Sequence, residues 1–202
     1  MKDSFLTIAT RSNGSFKDRG SKFLAFAYPV ISEEDIREIL ETLKKEYHDA
    51  RHHCYAWRLG TGEDHSRVND DGEPTNSAGK PILNQIDKRK LSNILVVVVR
   101  YFGGTLLGVP GLINAYRTAA SLALDEARIV REYYTETFMV KFPYSEMNSV
   151  MKIIKEYDLE DFDHRFDMDC SLKIKVRKKL IPIVREKFLK LEGCSILLQG
   201  EE

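Results

Sequence analysis

Three carboxylates lie close together in a polar segment, where they could act as acid and base or bind a cation. Asp70, Asp71 and Glu73 stand around a glycine in the sequence DDGE. An EF-hand calcium loop is excluded, because its spacing would place Arg67 and Ala78 at two of the required ligand positions. Two interpretations stay open: the aspartates cap backbone N–H groups in a turn, or the carboxylates belong to a functional site.

Two adjacent histidines, His52 and His53, precede Cys54 in a stretch that is typical of a strand. Because alternate strand side chains point to opposite faces, the two imidazoles cannot bind one metal ion together. His52 and Cys54 provide at most two ligands, whereas a structural zinc site needs four. We therefore expect neither a metal nor a cofactor. A complete set of nucleophile and base is not recognisable either, so catalytic residues stay unassigned.

A glycine-rich segment follows the most hydrophobic stretch of the chain. Residues 94–99 are six consecutive aliphatic residues, which indicate a strand buried on both faces in the middle of a sheet. Gly103, Gly104 and Gly108 follow, and a helical pattern begins at Leu112. A turn of this kind before a helix can hold an anion, although its spacing matches neither a Walker loop nor a dinucleotide-binding loop. Tight turning alone is the other interpretation.

The carboxylate segment and the glycine-rich segment are expected to meet. Residues 70–74 and 103–108 are both predicted to be loops at the ends of strands, and we expect them at the same end of one sheet. Replacing Gly103 by valine should then strain the backbone by about 1–3 kcal/mol if this glycine has a positive φ angle.

Composition limits the classes of partner. The chain has 202 residues, 43% of them hydrophobic, and its 31 basic residues balance 31 acidic ones. A neutral protein has no general attraction to nucleic acid or membranes, so any such contact must be local. The longest uncharged run, residues 101–116, is too short and too rich in glycine to span a bilayer. Three widely spaced cysteines and the absence of a secretory pattern predict reduced thiols and a cytoplasmic location.

Two local clusters of cations are candidate RNA contacts. The first cluster lies in a polar segment after the first predicted strand and comprises Arg11, Lys17, Arg19 and Lys22. The second cluster alternates along a predicted strand, so that one face carries Lys173, Lys175 and Arg177. Either cluster can bind RNA phosphates, although a solvated surface is the simpler interpretation of each. The part of the chain that contains the second cluster, residues 133–202, lacks the aromatic pairs by which RNA-recognition sheets stack bases, so base-specific recognition there is not expected.

The remaining pattern predicts an α/β or α+β layer for the first part of the chain. Strands are predicted at residues 5–10, 23–30, 52–59 and 94–99. Helices are predicted at residues 32–47, 81–90 and 112–128. Ser32 is expected to cap the first of these helices, with Asp35 three residues on. Polar loops are predicted at residues 11–22 and 60–80.

Residues 133–202 have the pattern of a separate domain. Strands are predicted at residues 134–142, 161–166, 170–176 and 194–198. One helix is expected to be capped by Ser145 and another to begin near Pro182. The order β-α-β-β-α-β is the ferredoxin-like pattern. We therefore predict an α+β chain of two domains, residues 1–132 and 133–202.

Several separate motifs resemble the signature of the YigZ/IMPACT family, in its bacterial YigZ-like branch. They are RGSKF at 19–23, HCYAWR at 53–58, DDGEP at 70–74, AGKP at 78–81, RYFGG at 100–104 and LG at 107–108. Two segments depart from the family pattern. Thr75-Asn76-Ser77 stands in place of smaller residues, and Val109-Pro110 stands where a further glycine is usual. The second departure removes an N–H group and counts against a nucleotide pocket.

The resemblance implies an N-terminal domain with the fold shared by ribosomal protein domains and certain small-molecule kinases. It also implies a C-terminal domain similar to a translation-factor domain, and an association with translation control. Together with the residue types discussed above, the resemblance points to a candidate ligand or partner site. Its residues are Arg19, His53, Asp70, Asp71, Glu73, Arg100, Gly103, Gly104 and Gly108. The eukaryotic relatives that bind translational regulators carry an additional N-terminal domain, so their partner is not transferred to this chain.

Two functions of different classes follow from these features. The favoured hypothesis is a non-enzymatic cytoplasmic binding protein linked to translation regulation, which contacts RNA, the ribosome or a translation factor. The alternative is an enzyme or sensor that binds a phosphorylated small molecule or a nucleotide at the glycine-rich loop. The kinship of fold with kinases supports this alternative only by analogy.

Overall fold

A computed structural model describes residues 3–60, 65–166 and 169–199. Contacts divide these residues into two compact units, one of residues 5–132 and one of residues 133–199 together with residues 3 and 4. Each unit combines a β-sheet with helices, which confirms the predicted α+β class. Within the described parts of the chain, no helix is long and apolar enough to cross a membrane.

The larger unit is built on a five-stranded sheet. The strands in this part of the chain are β1 (Ser4–Ile8), β2 (Ser12–Asp18), β3 (Ser21–Pro29), β4 (His52–Arg58), β5 (Ser66–Asn69), β6 (Ile94–Tyr101) and β7 (Ile129–Tyr133). Its helices are α1 (Glu33–Glu46), α2 (Gly79–Lys88) and α3 (Gly108–Asp125). The sheet has the order β2-β3-β6-β4-β5, and β1 and β7 form a separate two-stranded sheet.

Strand β6 is the centre of the five-stranded sheet, as the aliphatic run predicts. Residues 94–99 are completely buried, and antiparallel β3 and β4 flank them. Ile94, Val96 and Val98 belong to one core with residues of α2 and α3. Leu95, Val97 and Val99 belong to the core on the opposite face, with residues of α1. Burial on both faces explains why this strand has no polar alternation.

Strands β2, β5 and β7 differ from the expectations, which place loops or no element at these positions. Each is short or rich in polar residues, so hydrophobic alternation is too weak to identify it. The β2–β3 hairpin closes through Arg19 (φ 42°) and Gly20 (φ 80°), the two positive φ angles of a type I′ turn. Residues 61–64 of the second expected loop lie outside the described residues.

The smaller unit has a four-stranded antiparallel sheet with two helices. The strands are β8 (Thr135–Pro143), β9 (Glu160–Phe166), β10 (Asp169–Arg177) and β11 (Ser195–Leu198), and the helices are α4 (Met147–Glu156) and α5 (Ile181–Leu189). The strand order is β11-β8-β10-β9. This order and the βαββαβ succession confirm the ferredoxin-like prediction for this unit.

The two helix starts predicted in this unit have different outcomes. Ser145 does not cap α4, because a 3₁₀ turn (Tyr144–Glu146) contains it and Glu146 becomes the residue before the helix. No side chain caps α4. Pro182 lies in the first turn of α5, as predicted, where its missing N–H group costs no hydrogen bond.

The N-terminus of α1 has the predicted cap. Ser32 Oγ accepts a hydrogen bond from the Asp35 N–H at 3.1 Å. The Asp35 carboxylate accepts from the N–H groups of Ile31 and Ser32 at 2.8 and 3.1 Å. These hydrogen bonds, first of all the one from Ile31, hold the pKa of Asp35 below its ordinary value.

Replacing this carboxylate tests the cap. We expect Asp35→Asn to lower the free energy of unfolding by about 0.5–1 kcal/mol at neutral pH, because the amide lacks the charge that the helix N-terminus favours. The folded-state pKa of Asp35 is lowered, so the wild-type advantage is present above the ordinary value of 3.8 and is lost as the pH falls through the folded value. Urea unfolding at a series of pH values measures it. Glu38→Gln, on the exposed face of α1, is the control, and a difference independent of pH would contradict the prediction.

Candidate functional site

The polar segment of residues 70–74 and the glycine-rich loop lie at the same end of the large sheet, where β6 finishes and β4 begins. Arg100 and His52 are paired across these strands. Residues 70–74 reach this end, since the Asp71 carbonyl oxygen lies 2.7 Å from His52 Nδ1 and accepts a hydrogen bond from it. The Asp71 carboxylate accepts a hydrogen bond from the His53 N–H at 2.7 Å. The glycine-rich loop leaves β6 at the same end, so both loops lie where the sequence predicts them.

A buried ion pair between Glu73 and Arg100 is the centre of this region. Arg100 Nη1 lies 2.5 Å from Glu73 Oε1, and only 4% of the glutamate side chain and 6% of the arginine side chain are exposed. The Tyr116 hydroxyl donates to the same carboxylate oxygen at 2.7 Å. The guanidinium also lies over the rings of Phe23 and Phe102, 5.4 and 5.8 Å from their centroids. The pair therefore joins the polar loop to the central strand and to α3.

The other two carboxylates bind backbone N–H groups. Asp70 accepts hydrogen bonds from the N–H groups of Asn76, Ala78 and Gly79 at 2.8 to 3.0 Å, at the start of α2. Asp71 holds the start of β4 in the same way. A carboxylate is favourable at a helix N-terminus, where it satisfies orphan donors. For both aspartates the geometry favours the capping interpretation over a free site carboxylate.

Cys54 and Tyr116 extend the buried network beneath the ion pair. The Cys54 thiol lies 3.0 Å from the Asp70 carbonyl oxygen and 3.3 Å from the Tyr116 hydroxyl. Burial raises the pKa of the thiol and of the phenol. Both groups therefore stay protonated and act as hydrogen-bond donors. Since a thiol attacks only as a thiolate, the raised pKa also counts against Cys54 as a nucleophile. His52 Nε2 lies 3.8 Å from Glu73 Oε1, at the margin of the network.

His53 lies on the opposite face of the sheet from this network. It alternates with His52 along β4 and shares its face with the residues that pack under α1. Burial lowers the pKa of His53, so its imidazole is neutral at physiological pH. Its Nε2 has no hydrogen-bond partner among the described residues. Nowhere in the described ranges do three or more His, Cys, Asp and Glu residues form a group that could hold a metal ion.

The glycine-rich loop packs against the turn of the β2–β3 hairpin. A Cβ atom on Gly103 would lie 1.9 Å from the carbonyl carbon of Gly20 and 2.1 Å from the nitrogen of Ser21. The Gly103 N–H donates to the Ser21 hydroxyl at 3.2 Å. The φ angle of Gly103 is not positive, whereas those of Gly104 and Gly108 are 85° and 68°. Backbone packing, and not φ strain, is therefore what requires glycine at position 103.

Helix α3 begins at Gly108, earlier than the expected Leu112. The helical pattern is hidden there because glycine and proline are poor helix formers. Pro110 lies in the first turn, where its missing N–H is one of the unpaired groups in any case. No side chain caps this end, and its first turn has no acidic residue. An uncapped helix start favours anions but does not by itself identify a ligand.

The first cluster of cations lies on the β2–β3 hairpin. Lys17 and Lys22 are directly opposite each other across the two strands, and Arg19 occupies the turn. Within the described residues, none of these three forms an ion pair. Arg11 differs, because its guanidinium lies over two aromatic rings of β3 at 5.0 and 5.2 Å. The hairpin thus concentrates three unpaired cations at its tip.

The second cluster of cations lies on the open face of the smaller sheet. The residues that alternate with it on β10 are buried in the core of this unit, as predicted. Lys173 forms an ion pair with Asp163, and Lys175 with Glu160, each at 2.8 Å. The Arg177 guanidinium lies 3.9 Å from the centroid of the Tyr133 ring, which belongs to the same unit. Acidic residues of β9 therefore neutralise two of the three cations.

Tyr116 and Ser21 belong to the site but were not among the predicted site residues. Tyr116 is a large aromatic residue among the small residues of α3, and its hydroxyl in an apolar stripe is a signal that it needs a buried partner. Ser21 is completely buried next to a glycine, which is consistent with two backbones in close approach. Neither signal names the partner.

Comparisons with known proteins agree with the motifs of this region. Residues 19–124 match the family model of the Impact N-terminal domain. The chain is 30% identical, over its whole length, to the IMPACT family member YvyE of Bacillus subtilis, of which it covers 93%. It is 33% identical to the IMPACT family member YigZ of Escherichia coli over 68% of this chain and 69% of that protein. A crystal structure of a hypothetical protein superposes with a TM-score of 0.74 at 26% identity, covering 100% of both chains.

Removing the carboxylate of the buried ion pair tests its structural role. We expect Glu73→Gln to lower the free energy of unfolding by about 3–5 kcal/mol, because Arg100 would stay buried without its counter-charge. Urea unfolding measures the difference. The control is Glu34→Gln, which breaks an exposed ion pair with Arg37 and should cost no more than about 0.5 kcal/mol. Similar small losses in both variants would contradict a central role for the buried pair.

A second prediction separates the two glycines of the loop. Gly103→Ala should cost at least about 2 kcal/mol, because its Cβ would overlap the backbone of the hairpin turn. Gly104→Ala should cost only about 1 kcal/mol, since its Cβ meets nothing within 4 Å and only the positive φ angle is unfavourable. Thermal unfolding of both variants ranks them. The reverse order would show that the loop does not rest on the hairpin.

Proposed function

Because this chain belongs to the IMPACT family, we propose that it is a non-enzymatic binding protein linked to translation regulation, which contacts RNA, either free or within the ribosome. Membership of the family rests on the matched N-terminal domain and on relatives that align over most of the chain. The link to translation comes from the association with translation control that the family resemblance implies. The RNA contact is inferred from the charges of the β2–β3 hairpin.

The polar residues of the candidate site support binding over catalysis. Glu73 is buried against Arg100 and Tyr116, and Asp70 is occupied by three backbone N–H groups. The Cys54 thiol is held protonated by burial. A general base or nucleophile must reach the substrate and change its protonation state or bonding during the reaction. These groups instead hold the loops in place.

The pairing of Lys17 with Lys22 is the observation that carries the RNA contact. Like charges directly opposite each other on antiparallel strands are unfavourable. With Arg19 in the turn, three cations lie within one tight hairpin beside a single acid, Asp18, and none of the three forms an ion pair among the described residues. An RNA phosphate bound between them relieves this repulsion and releases counterions from the RNA.

The cations of the smaller unit support an RNA contact less well. RNA would have to displace Asp163 from Lys173 and Glu160 from Lys175 before its phosphates could bind. Contacts made by the hairpin are to the sugar-phosphate backbone, so binding is expected to tolerate changes in base sequence. We assign the primary contact to Lys17, Arg19 and Lys22.

A second candidate function is the binding of a phosphorylated small molecule or nucleotide at the glycine-rich loop. It is favoured by one observation, the uncapped start of α3 next to glycines with positive φ angles. The RNA experiment below distinguishes this function from the first, because a small-molecule site does not depend on the hairpin lysines.

Salt dependence tests the RNA contact. With about three phosphates neutralised, the logarithm of the affinity for single-stranded RNA should fall with the logarithm of the salt concentration with a slope of about −2. The variant Lys17→Gln/Lys22→Gln should reduce the slope to about −0.7 and weaken binding. Fluorescence anisotropy of a labelled RNA, titrated at several salt concentrations, measures both quantities.

The matched control is Lys173→Gln/Lys175→Gln, which removes the same charge from the other cluster. We expect it to change RNA affinity much less than the hairpin variant does. An equal or larger effect would move the RNA contact to the smaller unit. Binding that ignores salt and both variants would contradict the electrostatic proposal and favour the small-molecule function, which a thermal-shift screen of nucleotides and phosphorylated metabolites would then examine.

A further inference from the structure

Four large apolar side chains are exposed where the glycine-rich loop meets α3. The exposed fraction is 40% for Phe102, 81% for Leu106, 46% for Val109 and 36% for Ile113. These four residues are called the loop patch below. Val109 and Ile113 are four residues apart on α3, so they are neighbours on one face of the helix. Leu106 lies in the loop just before this face begins.

The loop patch lies within an uncharged part of the chain. Residues 101–116 contain no Asp, Glu, Lys or Arg, although these make up 31% of the whole sequence. The loop is nevertheless held firmly, because Gly103 packs against the hairpin turn. A fixed apolar surface without charges is typical of a protein-binding site.

Three arginines lie in segments next to the loop patch. The Arg51 guanidinium lies 5.7 Å from the centroid of the Phe102 ring. Arg19 is in the turn that packs against the loop, and Arg117 continues the row of Val109 and Ile113 by one further turn of α3. Arg117 donates to an asparagine, and in the described part of the chain none of the three arginines has a carboxylate partner.

Two acids lie near this rim. Asp18 precedes Arg19 in the hairpin, and Asp49 accepts a hydrogen bond from the Tyr101 hydroxyl. The three arginines exceed these two acids, so the rim keeps an excess of positive charge. A partner that meets this rim gains most if it is acidic, since arginine binds carboxylates through two parallel hydrogen bonds.

From the apolar centre and the arginine rim we propose that the loop patch is a docking surface for an acidic protein segment that carries apolar anchor side chains. The anchors pack on Leu106 and Val109, and the carboxylates meet Arg51 and Arg117. Buried apolar anchors surrounded by charged residues are the usual anatomy of a protein interface. The inference rests on the proposed binding function and adds a protein partner at a surface that excludes the hairpin lysines but has Arg19 of the hairpin turn on its rim.

Other occupants fit the loop patch less well. RNA would place its phosphates against an uncharged loop that offers a single aromatic ring for stacking. A second copy of the chain would bring the same surface against itself, as in any twofold contact, so the arginine rims would face each other. The facing arginine rims disfavour a second copy, and the apolar centre with its single stacking ring disfavours RNA. Both arrangements are outcomes that the experiment can detect.

The experiment selects peptides from a random display library on the full chain and counter-selects them on Leu106→Ser. Leu106 is 81% exposed, so this variant should fold normally. We expect the selected peptides to be acidic and to share two or more large apolar residues. A synthetic peptide of the selected sequence should bind, by fluorescence anisotropy, about tenfold more weakly to Leu106→Ser and to Val109→Ser.

The matched control is Ile31→Ser, an isoleucine that is 83% exposed at another surface, and it should change peptide affinity less than about twofold. Arg51→Gln with Arg117→Gln should weaken binding and reduce its dependence on salt. Selection of no peptides, of basic peptides, or of peptides that still bind Leu106→Ser equally well would overturn the proposal. Concentration-dependent dimerisation that Leu106→Ser abolishes would overturn it in favour of a second copy.

RNA titrations on the same variants separate this inference from the proposed function. Leu106→Ser should leave RNA affinity unchanged, and Lys17→Gln/Lys22→Gln should leave peptide affinity unchanged. Loss of RNA affinity in Leu106→Ser would overturn the assignment of the loop patch to a protein. If no acidic peptide binds the loop patch while RNA binding keeps its dependence on salt, only the docking surface is refuted.

Discussion

The buried ion pair between Glu73 and Arg100 is the interaction on which the site end of the larger unit depends. Two charges with almost no exposure depend on each other and on the groups around them, although Arg100 Nε has no hydrogen-bond partner among the described residues. The Tyr116 hydroxyl and two aromatic rings supply part of that environment. The pair thereby fixes the polar loop to the strand that both cores share. Asp70, Asp71 and Glu73, whose spacing resembles a catalytic cluster, hold the polar loop in place in this geometry.

The parts of the fold that the sequence predicts are those set by local rules. The aliphatic run at residues 94–99 can be stable only between two layers. Ser32 and Asp35 form a capping box, a local motif that pairs N–H groups at the start of a helix. The alternation along β4 also separates His52 from His53 as expected. Local rules do not predict strand β2, because it is a strand through its pairing with β3 and not through its own composition.

The site could be predicted as a set of residues but not as a set of bonds. Asp70 and Glu73 are close in sequence and have the same chemistry, yet Asp70 caps α2 and Glu73 binds an arginine from a distant strand. Whether a carboxylate caps the helix or binds the arginine depends on contacts between residues far apart in the chain. Such contacts cannot be read from the local pattern of one sequence. The role of Gly103 shows the same limit, since Gly20, against which it packs, lies in the β2–β3 hairpin, far from it in the chain.

The close approach of Gly103 to the hairpin turn also constrains how the chain can diverge. A two-residue turn with two positive φ angles has a fixed length and shape, and its backbone fills the space beside the loop. One inserted residue in this turn would push the loop away from the sheet, however polar and exposed the insertion was. We therefore expect the tip of this hairpin, although it lies at the surface, to tolerate changes of side chain but not changes of length.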